Sequence, residues 1–219
     1  MVGRGEKPSW RMRMKLTLAL VCFALLMWAA PASAQSTYPL KVSHHPSVEV
    51  STRAIDKILA DASRMLKKAP GHVNSTDNVA CRVTFRREGP LSVFASRHTP
   101  AVINTEADVD AVHSEPSDTK VVEAINFCKG MTGRFAGCSW PNERRSIIVT
   151  PGRLRHLVWA HEFGHLTGLK HRSEPLALMT ICPLAADQVQ ISRHECDCLL
   201  SGMGTCMITP EPPAPHCER

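Results

Sequence analysis

Apolar residues recur along this chain at two spacings, two and three-to-four, and the alternation between them marks out most of its elements. Residues 38–42 alternate enough for a short strand. Ser51 then stands where a helix N-cap belongs, and Ile55, Ile58, Leu59, Ala62, Met65 and Leu66 follow at helical spacing until Pro70-Gly71 ends the run. Residues 79–85 alternate again, with Cys81, Val83 and Phe85 on one face. The stretch 89–118 carries no clear period, although 101–104 fits a short strand. Two further strands are predicted at 121–127 and 146–150, separated by a glycine-rich loop that holds two cysteines. Thr150-Pro151 opens a second long helix, threonine as cap and proline in the first turn, and Leu154, Leu157, Val158 and His161 carry it towards Gly168. Ser192 caps a last helix to about Leu200. The order predicts an α+β domain: a mixed twisted sheet, a long N-terminal helix, a second helix beneath the sheet and a C-terminal helix.

Composition changes this picture at the ends. Arg4, Lys7, Arg11, Arg13 and Lys15 precede an apolar run over 16–30, and Pro31-Ala32-Ser33-Ala34 supplies the small residues of a cleavage site. Residues 1–34 therefore read as a signal peptide, with a start at Met1 or Met14, 35–208 as the folded domain and 209–219 as a proline-rich tail. The first 34 residues hold five basic residues and Glu6, a net +4, leaving +2 of the formal +6 for the rest. That is too little to imply nucleic acid, and Arg86-Arg87 and Arg144-Arg145 read as solvated surface. The expected protein is exported, to the periplasm or beyond the cell, without stable membrane association, and monomeric.

Beyond Cys22 eight cysteines remain: Cys81, Cys128, Cys138, Cys182, Cys196, Cys198, Cys206 and Cys217. An even number in an exported chain implies four disulfides, of about 105 possible pairings. Cys128 with Cys138 is the pairing that short separation favours; Cys196 and Cys198, two apart on a helix, face different ways and need different partners. No C-x-x-C pair is present to suggest a cysteine zinc site.

The chemistry lies in His161-Glu162-Phe163-Gly164-His165-Leu166-Thr167-Gly168-Leu169-Lys170-His171. Residues four apart share a helix face, so His161 and His165 suit one ion. Glu162, turned by about 100°, reaches the space beside that ion without ligating it. Gly168 allows the positive φ needed to leave the helix abruptly, after which His171 supplies a third nitrogen. An amphipathic helix with surface histidines is the plain alternative, but it explains neither the glycine nor the third histidine. His44, His45, His72, His98, His113, His156 and His194 have no such setting.

This pattern, followed by Ala177-Leu178-Met179, resembles the metzincin zinc peptidases, and its approach to the methionine is similar to the matrixin group. The resemblance implies a zinc cofactor on His161, His165 and His171, Glu162 as general base, Met179 as an apolar floor beneath the histidines, and a protein or peptide substrate. It also implies that 121–127 is the edge strand that pairs with substrate and that 146–150 leads into the zinc helix. Arg172 departs from the serine usual in matrixins, and Ile181 stands where other metzincins place a tyrosine. No cysteine-switch motif precedes the first helix, so activity without zymogen processing is expected. The rival expectation is a disulfide-stabilised zinc-containing binding protein without turnover.

Overall fold

A computed structural model describes residues 35–68, 79–140, 146–149, 155–174, 176–180, 189–202 and 206, all within the unit Gln35–Arg219. The signal-like segment, Cys182, Cys217, the Thr150-Pro151 cap and the tail lie outside the described residues. The described part is α+β, as its periodicities imply, with four helices among the described residues.

Helix α1 (Thr52–Lys67) begins where Ser51 Oγ accepts from the Ala54 amide at 3.2 Å, and buries Ile55, Ile58, Leu59, Ala62, Ser63 and Leu66. Each large apolar side chain so buried contributes about 1.5–3 kcal/mol. Ser63 ties the helix to its sheet by accepting from the Phe85 amide at 2.8 Å.

The strands fall into three sheets rather than one. Strands β1 (Ser36–Leu40) and β3 (Val83–Arg87) form a parallel pair. A five-stranded sheet runs β4 (Ser92–Val93), β2 (Val42–His44), β6 (Thr119–Val122), β10 (Ser146–Val149), β9 (Gly137–Ser139), parallel except for β9. Strand β5 (Val102–Ile103) pairs with β7 (Ala124–Cys128), which turns back as an antiparallel hairpin into β8 (Met131–Phe135). Val121 belongs to one apolar core and Val122 to another, because successive residues of a strand face opposite sides of the sheet. Helix α2 (Glu106–His113) adds Val109 and Val112 to the second core; helices α1, α3 (Arg155–Leu166) and α4 (Arg193–Ser201) fill the first.

Several boundaries differ from expectation for identifiable reasons. The strand read at 38–42 is two strands in different sheets, parted at Lys41. Strand β3 starts at Val83 because the amides of Val79 and Cys81 bond instead to the Ile191 and Leu66 carbonyls, at 2.9 and 2.7 Å. The run 121–127 divides at Glu123, whose amide bonds to Ala101. Its first half lies between β2 and β10 and its second, β7, between β5 and β8, so neither is an edge; the five-stranded sheet ends in β4 and in β9, the latter inside the stretch read as a loop.

The disulfides Cys81–Cys196, Cys128–Cys138 and Cys198–Cys206 stand among the described residues. Cys128 does pair with Cys138, and Cys196 and Cys198 do reach separate partners. Among the described residues no helix is long and apolar enough to cross a membrane.

Candidate metal centre

Helix α3 is apolar on almost every side: Leu157, Val158, Trp159, Ala160, Phe163 and Leu166 are all buried. Such a helix belongs in the interior, and its polar residues need partners there. Phe163 locks its inner face, 4.6 Å from the Tyr38 ring and 4.8 Å from that of Phe85, while the Tyr38 hydroxyl donates to the Leu199 carbonyl at 2.7 Å. The opposite face carries His161 and His165, with ring centroids 4.8 Å apart.

The helix stops at Gly168, whose φ of +98° is costly for any side chain bearing a Cβ. Gly168 N–H donates to the His165 carbonyl at 3.0 Å, and Leu169 N–H to Gly164 at 3.1 Å. The reversal returns His171 to the other two, 4.7 Å from the His165 ring and 5.3 Å from that of His161. Ligating atoms of the three lie within 4.8 Å of one another, a group that could hold a metal ion.

The donor set fits a metal. His161 Nδ1 is 2.8 Å from the Leu178 carbonyl, and His165 Nδ1 is 2.9 Å from that of Leu169. A carbonyl only accepts, so both Nδ1 atoms carry the proton and both Nε2 atoms present lone pairs. Burial holds His161 down to about 4, and holds His165 well below its ordinary value with help from the neighbouring histidines. Both are therefore neutral at physiological pH, as ligation requires. The Nε2 atoms of His165 and His171 stand 3.1 Å apart, close to the roughly 3.3 Å expected for two nitrogens on one tetrahedral zinc ion.

Met179 is fully buried and so near α3 that a Cβ on Gly164 would run into its sulfur. Its position is set by the turn 176–180, in which Arg172 N–H donates to the Met179 carbonyl at 2.8 Å and Leu178 N–H to Gln190 at 2.9 Å.

Glu162 leans towards strand β9. Its side chain is only 5% exposed, Ser139 Oγ donates to Oε2, and a Cβ on Gly137 would overlap the carboxyl. Burial pushes its pKa up to about 7, against the lowering pull of the Ser139 bond and the Lys129 charge. Of the residues predicted for the site, the three histidines meet here, Gly168 turns the chain between them, Met179 packs on Gly164 and Glu162 turns to β9; Ser139 and Gly137 meet that carboxyl, and the Leu178 carbonyl meets His161. These last three sit in strands too short, or in turns too irregular, to show a period. The carbonyl is invisible to side-chain reasoning altogether.

In a second grouping, His194 with Cys198 and Cys206, the two sulfurs are already joined in a disulfide and His194 lies one helical turn from Cys198, 3.7 Å from its sulfur.

No protein-family profile matches this chain, and no curated protein sequence does. Among solved structures it is similar to an archaemetzincin from Methanopyrus kandleri, at 12% identity over 79% of this chain and 97% of that one, TM-score 0.48. It is also similar to a chain in a chaperone–substrate complex, at 12% identity and TM-score 0.45 over 78% of this chain. This chain spans about a third of that one, 34% of its length.

Proposed function

We propose that this chain is an exported zinc-dependent endopeptidase of the metzincin kind, with zinc held by His161, His165 and His171. The observation that carries the reading is the convergence of three imidazoles, with the buried Glu162 next in sequence to the first of them. Zinc bound there supplies Lewis acidity and lowers the pKa of water towards neutrality.

The chain's own residues do the rest. The Leu178 and Leu169 carbonyls hold two imidazoles in the ligating tautomer. Ser139 holds Glu162 by Oε2, and on this reading the carboxyl takes a proton from the attacking water and returns it to the leaving amine. A carboxyl near 7 is suited to both transfers at neutral pH. The three disulfides support an oxidising destination.

The test is casein or peptide-library hydrolysis by the purified protein, with and without a chelator, beside Glu162→Gln. Chelation should abolish cleavage and restored zinc should recover it; Glu162→Gln should cost about 10²–10⁴-fold in rate while zinc still binds. A second reading, a zinc-holding binding protein without turnover, draws on the near-complete burial of Glu162 against Gly137 and Ser139. Stoichiometric zinc with no cleavage of any library peptide would select it and dismiss the first.

A further inference from the structure

His171 differs from the other two histidines in standing on no regular element, so something outside α3 must aim it. Both ends of its segment are fastened to the same place, the last helix α4. At the near end, Cys206 N–H donates to the Thr167 carbonyl at 3.2 Å. The Cys206 carbonyl lies so close to Gly168 that a Cβ there would stand 2.9 Å from it. Cys206 is disulfide-bonded to Cys198 of α4. At the far end, Arg172, the residue after His171, sends Nη1 to Glu195 Oε2 at 2.7 Å and Nε to Glu174 at 3.1 Å.

Glu195 is no ordinary surface partner. It is 2% exposed, and its Oε2 also accepts from the Ser192 amide at 2.7 Å in the capping box that starts α4. Among the described residues Oε1 has no hydrogen-bond partner. A buried carboxylate with one oxygen unserved depends heavily on the cation facing the other. Helix α4 is itself anchored, through Cys196, to Cys81 just ahead of β3. Helix α4 thus ties the segment down on both sides of the third histidine, beside the main-chain bonds of Leu169 to Gly164 and of Arg172 to Met179.

We infer that α4 is the brace of the third ligand: Arg172 with Glu195, and Cys206 with Cys198, are positioning residues that set His171 for metal binding. This rests on the zinc-site reading and adds a device that the ligand motif does not contain. Outer groups that orient a ligand are commonly worth about 10–100-fold in metal affinity.

The experiment uses the full chain, stripped of metal and titrated with zinc against a chromophoric chelator, with cobalt(II) absorption reporting ligand geometry. Arg172→Met should weaken zinc by about 10–100-fold and alter the cobalt spectrum, with far-UV circular dichroism retained; Arg172→Lys should recover part of the loss. Glu195→Gln keeps the capping box, since glutamine serves at that position, and should still weaken zinc several-fold, which covers the case in which Arg172→Met does not fold. The paired Cys198→Ser and Cys206→Ser variant should shift affinity in the same direction. Zinc affinity and cobalt spectra unchanged in folded Arg172→Met or in Glu195→Gln would overturn the brace while leaving the zinc site standing. A wild type that takes up no zinc removes the zinc-site reading itself.

Discussion

Single side chains in this protein matter most where a charge has been taken out of water and given partners. Glu115, 5% exposed, is such a case away from the metal centre. It accepts from the Ala95 amide at 2.6 Å, the Ser96 amide at 3.1 Å and the Thr99 hydroxyl at 2.6 Å, so one carboxylate organises a whole loop. Burial works to raise its pKa, but those bonds and the Lys120 charge together hold it below the ordinary 4.5. A carboxyl depressed in the folded state stabilises above its unfolded pKa, and the contribution disappears as pH falls through the folded value. Glu115→Gln, which in either orientation turns an amide donor towards a backbone donor, should therefore lower stability by about 1–3 kcal/mol at pH 6–7. In urea melts from pH 7 down to 3, the gap from wild type should narrow below about pH 4.5; a gap that is constant with pH would refute the charge-based account. Nothing in the primary structure singles out Glu115. Its partners are two main-chain amides and a threonine hydroxyl 16–20 residues away, brought in by a loop that has no period. His161, Glu162, His165 and His171 were legible because a helix and a glycine fix their spacing, so a local rule sufficed.

Among the elements, α3 carries the site and is held from behind by Phe163 against Tyr38 and Phe85. Truncating that ring leaves a cavity beneath the histidine-bearing turn, and Phe163→Ala should cost about 3–5 kcal/mol in chemical denaturation. A loss under 1 kcal/mol would mean that the helix is seated by other contacts. The long helices could be read in advance because their apolar stripes recur over three or four turns. Helix α2 could not: its Thr105–Asp108 capping box is visible, but Val109 and Val112 alone supply its buried face. Strands β8 and β9 were hidden for a related reason. Four of the five β8 residues are exposed, and three residues of β9 are too few for an alternation to register. What defines β9 is its pairing with β10 and its place beside Glu162, and both are tertiary facts.

Over the whole molecule, the cross-links divide by reach. Cys81–Cys196 spans 115 residues, Cys128–Cys138 only 10 and Cys198–Cys206 only 8. If constraint of the unfolded chain is the main effect, replacing Cys81 and Cys196 by serine should cost about 4–5 kcal/mol, against about 2–3 kcal/mol for the Cys128 and Cys138 pair. Equal losses in parallel urea titrations would mean that local strain or packing, not loop length, governs them. The same long link fixes an order of events during biosynthesis. Cys196 follows Cys81 by more than half the chain, and the helix that carries it arrives after every histidine of the cluster has been made. A nascent polypeptide halted before residue 192 would own all three imidazoles yet lack the cap, the buried carboxylate and the sulfur bridges that steady them. On the proposed zinc-site reading, capture of the metal is thereby deferred until that helix has been made, and a product terminated ahead of it would be poorly equipped to hold the ion.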